Sequence, residues 1–309
     1  MKKLIISSSP YIRDKVTVAK LMWGVIISLL PAAGYSVYLF RLRAVELILV
    51  CCFFSMLSEY LFLRLRKKEI SREPSALLSG LLLAMLLPPN FPLWAAALGA
   101  IFAIIIGKQM FGGLGYNIFN PALVGRAFLM ATYPVLMTSW IEPFTLNAVT
   151  TATPLGLIKF ESQSTPILQL FLGNVSGSLG ETSALALLVG ATYLLIRRYI
   201  DWRVPLSYLG TVAIFSEIAY LTHLSSGSLL FHLFAGGLIL GAFFMATDPV
   251  TTPISKSGRV IFGVGAGIMV MVIRLWGDIP GGVMFSILFM NALVPLLNHY
   301  IKPRVLGSK

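Results

Sequence analysis

The sequence predicts an all-α integral membrane protein with about ten transmembrane helices. Hydrophobic residues occupy 57% of the 309 positions, whereas charged residues occupy 12%. A soluble domain carries about a quarter charged residues, so most of this chain is expected to lie in lipid as helices. The basic residues cluster in short loops between apolar runs, which is the pattern of a multi-pass membrane protein.

Ten apolar segments are the candidate spans, and together they form a single membrane domain over residues 1–309. Most are close to the roughly 20 residues that cross a bilayer. Two of them, 75–88 and 228–246, are shorter or lie close to proline, which predicts discontinuous helices whose free backbone groups meet near the midplane. In chain order the segments are 21–40, 44–63, 75–88, 92–107, 119–140, 183–199, 204–223, 228–246, 260–276 and 281–301.

The loop charges predict that both termini are cytoplasmic. With that orientation nearly all of the 24 basic residues lie in cytoplasmic segments, as the positive-inside rule expects. The N-terminal 20 residues are too basic and too poor in apolar residues for a cleavable signal peptide, so the first span is expected to remain. The longest loop, about 141–182, then lies on the external face, and the net charge of +12 does not indicate a nucleic-acid partner. The exceptions are Arg41, Arg43, Arg126, Lys159 and Arg274.

The two halves of the chain resemble one another, which predicts an inverted repeat. The first repeat covers about 20–140 and the second about 183–301, on either side of the long loop. The alternative is that these glycine-rich stretches only let helices pack closely. The matching pairs are 112–123 with 281–293, and 84–89 with 244–249.

The long loop contains a run of small and hydroxylated residues, Asn147 to Leu157. Thr153 precedes Pro154, and proline disfavours the α region for the residue before it. The Thr153 hydroxyl is therefore expected on extended, accessible backbone where another enzyme can modify it. Taken alone the pattern is weak, because threonine-rich runs before proline are usually ordinary loops.

Several polar residues within or beside the spans are candidates for binding. Arg126 lies inside an apolar run, where a charge either faces a partner, cavity or cofactor or snorkels to the headgroups. Asn120 is expected to form interhelical hydrogen bonds. Asp248 either caps a helix or binds a cation, with the cap as the simpler interpretation. Glu59 and Glu217 are candidates for an ion path.

A second external stretch, 173–183, lies at the end of the long loop, is rich in glycine and serine, and contains Glu181 and Thr182. Backbone N–H groups and hydroxyls in such a loop suit hydroxyl-rich or phosphate-bearing groups. The sequence contains no nucleotide-binding loop, no paired catalytic residues and no metal-ligand spacing of cysteine or histidine. Hydrolase and kinase functions therefore have no support.

At these residues the chain resembles the NqrB/RnfD family. That family comprises the RnfD subunits of the Rnf ion-translocating oxidoreductase complex and the related NqrB subunits of the sodium-pumping NADH:quinone oxidoreductase. In it a flavin mononucleotide (FMN) is joined through its phosphate to a threonine in the pattern acidic-x-x-Ser/Thr-Gly-Ala-Thr. The resemblance implies that Thr153 carries the FMN, with Asn147, Thr150 and Thr151 at neighbouring motif positions. The stretches that carry it are SGLLLAMLLPP (79–89), GKQMFGGLGYNIFNPALVGR (107–126), GETS (180–183) and MATDPVTTP (245–253).

Two positions depart from the family pattern. Asn147 stands where an acidic residue is expected, and Thr151 stands where glycine is usual. Either change bears on recognition by the flavin transferase that places the FMN. The other threonine pair before proline, Thr251 and Thr252, lacks the Ala-Thr dipeptide and falls on the cytoplasmic side of the predicted topology.

The resemblance also implies the fold and the function of the protein. It implies a urea-transporter-like bundle of ten helices in the bacterial inner membrane, and electron transfer between ferredoxin and NAD coupled to Na⁺ or H⁺ movement. The implied partners are the A, B, C, E and G subunits of the Rnf complex and the flavin transferase; riboflavin or a second, non-covalent flavin is left open. The chain alone has no complete active site. The runner-up is a channel or transporter for a small polar solute.

A positive charge near the flavin is expected to favour its anionic reduced form. Arg126 or a helix N-terminus is the candidate for this role. If Arg126 has it, Arg126→Ala is expected to lower the reduction potential of the flavin.

Overall fold

The computed structural model describes residues 16–68, 73–144, 150–161, 163–225 and 227–302. Asn147 lies outside these ranges. The first half of the described chain contains α1 (Val18–Phe40), α2 (Leu42–Leu65), α3 (Ser75–Met85), α4 (Leu93–Ile104) with a π-helical extension (Ile105–Gln109), α5 (Pro121–Thr132) and α6 (Pro134–Met137).

The remaining elements follow in the loop region and the second half of the chain. A two-residue strand pair joins the loop to the end of the first half. The elements are β1 (Trp140–Ile141), β2 (Thr150–Thr151), α7 (Pro154–Phe160), α8 (Ile167–Leu172), α9 (Ala184–Ile196), α10 (Arg203–Leu221), α11 (Leu229–Phe234), α12 (Leu238–Leu240) with a π-helical extension (Gly241–Met245), α13 (Lys256–Trp276) and α14 (Val283–Tyr300).

The described residues are helical apart from short loops and the strand pair, so the all-helical prediction is confirmed for them. A helix lies at each of the ten predicted apolar segments. Within the described ranges, α1, α2, α10, α13 and α14 are long and apolar enough to cross a membrane, and α3, α4, α5 and α9 are shorter apolar helices. The chain is therefore a multi-pass membrane protein, and ten crossings in a urea-transporter-like repeat remain a prediction.

Two predicted segments are interrupted. The segment 119–140 is interrupted after Thr132 and continues as the short helix α6, because Tyr133 precedes Pro134 and proline disfavours the α conformation there. The segment 228–246 is broken after Phe234, where Ala235 is extended and Gly236 has φ of 68°. The discontinuity predicted for the second repeat is thus present in the chain.

Close approach of backbones holds the long helices together. A Cβ at Gly190 of α9 would press against the Ser28 carbonyl of α1, and one at Gly267 of α13 would lie 2.9 Å from the Tyr208 carbonyl of α10. The contacts are possible because glycine has no side chain. Neither glycine lies in the repeat stretches 112–123 and 281–293, where Gly115 and Gly281 have open space beside them, so the choice between the repeat and simple packing stays a prediction.

Contacts across the chain are made at the end of α3 and at Asn120, which precedes α5. The backbone N–H of Gly180 donates to the Met85 carbonyl at 2.6 Å, at the end of α3. Asn120 caps α5 and directs its amide nitrogen to the Met245 carbonyl at 3.5 Å. With its amide nitrogen toward the Thr251 carbonyl, Asn291 accepts from the Asn120 backbone N–H at 3.2 Å. Asn120 therefore makes the interhelical hydrogen bonds that its position predicts.

Candidate functional site

Thr153 begins a short helix at one end of the bundle, here called the loop end, where α1 and α13 also end. Its backbone is extended, with φ of −69° and ψ of 156°, and Pro154 is the first residue of α7. The Thr153 hydroxyl oxygen accepts from the Gly156 N–H at 3.2 Å, which caps the helix. The side chain is partly exposed. The predicted extended backbone is observed, on a residue that is partly exposed.

A cavity of about 880 Å³, including its open mouth, lies beside Thr153. Arg126 of α5 and Glu181 of the 173–183 loop line the same cavity, so the fold brings three of the predicted site residues together. Methionine and aromatic side chains form much of the remaining wall, including Met130, Met137, Trp140, Phe234 and Phe285. We call this space the loop-end cavity.

The other predicted site residues lie elsewhere. Thr150 and Thr151 form β2 and pair with Ile141 and Trp140, which places the strand pair beside the cavity wall. Thr182 is buried, and its hydroxyl donates to the Leu179 carbonyl at 3.0 Å within its own turn. Asn120 lines a different cavity.

Arg126 has a partner inside the protein. Its Nη1 lies 3.6 Å from Glu181 Oε1, and the two side chains are 17% and 13% exposed. Of the two interpretations of Arg126, the geometry favours a charge that faces a partner and a cavity over one that snorkels alone.

A further basic residue of the site, Arg274 of α13, was missed as a site residue by sequence reasoning. It is 4% exposed and also lines the loop-end cavity. Its guanidinium donates to the His232 carbonyl at 2.5 Å and the Ala235 carbonyl at 2.8 Å, at the broken end of α11. The available signal was a charge near the end of an apolar span on the face with few basic residues.

Lys159 fastens the helix that begins at Thr153 to the rest of the bundle. Its ammonium donates to the carbonyls of Arg274 at 2.9 Å, Ile273 at 3.4 Å and Gly277. These carbonyls lie at the end of α13, where the last carbonyls have no partner within the helix. Burial lowers the pKa of Lys159, and the neighbouring Asp278 offsets part of that effect. Lys159 therefore holds α7, and with it Thr153, against α13.

Replacement of Lys159 by methionine is expected to loosen α7 while the bundle stays folded. The methionine keeps the apolar stem but removes the ammonium that the Arg274 and Gly277 carbonyls accept from, at a cost of about 1–3 kcal/mol. Hydrogen exchange of the 155–160 amides measures this loosening. The exposed Lys302→Met is the control, and equal protection of α7 in both variants would contradict the role given to Lys159.

A second cavity, of about 720 Å³, lies at the opposite end of the bundle. Lys108 and Asp248 line it. Lys108 is 1% exposed and donates to Glu59 Oε1 at 2.6 Å and to the Ser75 hydroxyl at 2.5 Å. Gln109 also donates to Glu59, at 2.8 Å. Glu59 is thus held within the bundle by an ammonium and an amide.

The remaining acidic candidates differ in their surroundings. Asp248 accepts from the Val250 N–H at 3.4 Å and the Thr251 hydroxyl at 3.2 Å, so it caps the turn that follows the broken helix. Glu217 is exposed on α10. No cluster of three or more metal-binding side chains occurs among the described residues.

Known proteins resemble this chain over nearly its whole length. The sequence profile of the NQR2, RnfD, RnfE family matches residues 5–307. The chain is 43% identical to the D subunit of the proton-translocating ferredoxin:NAD(+) oxidoreductase complex of Clostridium ljungdahlii, over 98% of this chain and 96% of that protein. It is 45% identical to the D subunit of the Na(+)-translocating ferredoxin:NAD(+) oxidoreductase complex of Acetobacterium woodii, over 98% of this chain and 95% of that protein.

A third relative shows the same extent of similarity. The D subunit of the ion-translocating oxidoreductase complex of Stutzerimonas stutzeri is 41% identical, over 94% of this chain and 92% of that protein. The matches exceed what a shared membrane composition produces, because they run through loops and spans alike at nearly full length. The chain belongs to the NQR2, RnfD, RnfE family.

Proposed function

We propose that the chain is the membrane-embedded D subunit of an ion-translocating ferredoxin:NAD oxidoreductase complex and that Thr153 carries a covalent FMN. The three relatives named above are subunits of ion-translocating oxidoreductase complexes. The observation that carries the flavin assignment is the position of the Thr153 hydroxyl on the rim of a cavity that also presents Arg126 and Glu181.

The residues around the cavity fit a flavin nucleotide. The Thr153 hydroxyl offers the oxygen for a phosphoester, and the methionine and aromatic wall suits a planar, largely apolar ring. Arg274 Nε is buried without a hydrogen-bond acceptor, so the site has a donor to spare for an anionic ligand. When bound, a flavin supplies the electron-transfer chemistry. The chain supplies the tether, the apolar slot and the charges around it.

The proposal also includes the orientation of the chain in the membrane, its partner subunits and the ion that is moved. In it both termini face the cytoplasm of a bacterium, and Thr153 faces the outside of the inner membrane, where a flavin transferase loads it. The A, B, C, E and G subunits deliver or accept electrons, and Na⁺ or H⁺ is moved. Both ions occur among the relatives, because one is named for protons and another for Na(+).

The cavity at the opposite end is the proposed place for a second, non-covalent flavin such as riboflavin. It is lined by apolar side chains with a few polar groups, among them Lys108, Asn117 and Asn120. This mixture of apolar wall and convergent polar groups is typical of cofactor sites.

One observation favours the alternative of a solute channel or transporter. A broken helix and cavities at both ends of the bundle are also what a transporter needs. A channel, however, has no use for a covalent cofactor. The alternative is therefore decided by whether the chain is a flavoprotein.

In-gel fluorescence tests the flavin assignment and a labelling experiment tests its side. A chain co-produced with a flavin transferase is expected to fluoresce after denaturation, because only a covalent flavin survives.

Ala152→Cys adds an exposed thiol next to Thr153, whereas Cys51 and Cys52 are buried. A membrane-impermeant maleimide is expected to label Ala152→Cys from outside intact cells. A denatured band without fluorescence would overturn the flavin assignment. Labelling only after the cells are opened would overturn the proposal that Thr153 faces the outside.

A further inference from the structure

Among the described residues, three charged side chains line the loop-end cavity: Arg126, Glu181 and Arg274. Their sum is one net positive charge. The two arginines come from different halves of the chain, and both lie in segments that are otherwise apolar. A buried charge in such a setting is expensive and marks a functional position by default.

The two arginines are not equivalent. Arg126 lies 3.6 Å from the Glu181 carboxylate, so the pair is close to neutral when seen from the cavity. Arg274 has no carboxylate within ion-pair distance in the described part of the chain. Glu181 also attracts Arg274, but from beyond ion-pair distance, so Arg274 is the less neutralised of the two arginines and keeps the larger share of the cavity's net positive charge.

The hydrogen bonds of Arg274 do not cancel that charge. Its Nη1 and Nη2 donate to the carbonyls of His232 and Ala235, which carry only partial negative charge at the end of the six-residue helix α11. The Nε–H is buried and has no acceptor among the residues that the structure describes. A buried donor without an acceptor is costly, and a buried cation without a counter-ion more so. Both point to an anionic group as the missing ligand.

The surroundings place that anion near the tether of Thr153. Arg274 Nη2 lies beside Gly236, and the Leu155 side chain, two residues after Thr153, lies beside the same glycine. A side chain at position 236 would occupy this space and would also be strained, because φ there is 68°. Gly236 thus lets the Leu155 side chain, at the start of α7, pack close to Arg274.

We propose that Arg274, rather than Arg126, supplies the net positive charge that holds the anionic flavin nucleotide in the loop-end cavity and favours its reduced form. The proposal rests on the proposed function, since it takes the ligand to be the flavin on Thr153. It assigns Arg274 as a binding residue and treats Arg126 and Glu181 as a pair whose charges offset one another.

Potentiometric titration of the full chain, co-produced with a flavin transferase and purified in detergent, tests the proposal. The variants are Arg274→Gln, Arg274→Lys and the double variant Arg126→Gln with Glu181→Gln. At a fixed ambient potential, Arg274→Gln is expected to lower the ratio of reduced to oxidised flavin on the order of tenfold, as loss of one nearby charge predicts. Arg274→Lys keeps the charge and is expected to titrate like the unmodified chain. The double variant leaves the net charge unchanged and is expected to do the same.

The outcomes distinguish the proposed function from the role of Arg274. An unmodified chain without covalent flavin would refute the proposed function. The role of Arg274 would be refuted, with the proposed function intact, by either of two results. One is a flavin-loaded Arg274→Gln chain with an unchanged reduction potential. The other is a double variant whose reduction potential shifts as far as that of Arg274→Gln. If Arg274→Gln does not accumulate, Arg274→Lys decides, because it retains the charge on a side chain of different shape. The proposal would be overturned if the reduction potential of the flavin in Arg274→Lys fell as far as the loss of one charge predicts.

Discussion

Thr153→Ala is expected to yield a folded chain that carries no covalent flavin. The substitution removes the only atom that the phosphoester uses, and its structural cost is limited to the helix cap on Gly156, about 1 kcal/mol. In the assembled complex, electron transfer from reduced ferredoxin to NAD is expected to fall to background, because the relay loses a carrier. Fluorescence of the denatured chain and the NAD reduction rate of the complex are the measurements.

Two matched variants make the Thr153 result specific. Thr153→Ser keeps a hydroxyl and the cap and is expected to retain some flavin. Thr252→Ala alters the other threonine pair before proline, where the hydroxyl donates to the Asp248 carbonyl at 2.9 Å, and is expected to leave the flavin in place. Flavin that persists in Thr153→Ala, or disappears in Thr252→Ala, would contradict the assigned attachment site.

The second large effect is expected at Lys108 and Glu59. Replacing Lys108 by methionine leaves the Glu59 carboxylate buried with only Gln109 as a donor, and breaking a buried pair in this way costs about 3–5 kcal/mol. The thermal stability of the purified chain is expected to drop accordingly. Adding Glu59→Leu to Lys108→Met is expected to recover most of the loss, because the stranded charge is gone.

An exposed ion pair provides the control for this prediction. Arg43 and Glu46 lie 3.3 Å apart on α2 with side chains 62% and 44% exposed. Removing either is expected to change stability by less than about 1 kcal/mol. If Lys108→Met is no more harmful than Arg43→Ala, the buried pair does not stabilise the bundle as its geometry indicates.

Composition and spacing were sufficient to locate the helices of the ten apolar segments, but not α7 and α8, which lie in the region predicted as a long loop. A run of apolar residues long enough to enter lipid has to form a helix, because its backbone finds no other hydrogen-bond partners there. The ends were less predictable. The break at Tyr133 follows from Pro134, and the break after Phe234 from a glycine with positive φ, but neither residue indicates by itself that a span stops there.

The candidate site was predictable only in part. The extended backbone of Thr153 follows from Pro154, and the resemblance to the NqrB/RnfD family selected the residue. That Arg126, Glu181 and Thr153 line one cavity depends on how α5, α7 and the 173–183 loop pack, which no spacing along the chain reveals. Arg274 was noted only as an exception to the charge rule, because its carbonyl partners lie in a helix about 40 residues away.

Peptide mass spectrometry of this chain, taken from the purified native complex, tests the central claim most directly. We expect a peptide that contains Thr153 and carries one FMN in phosphoester linkage, with fragmentation that places the flavin on Thr153. Unmodified Thr153 in a fully covered peptide, or flavin mapped to a different residue, would contradict it.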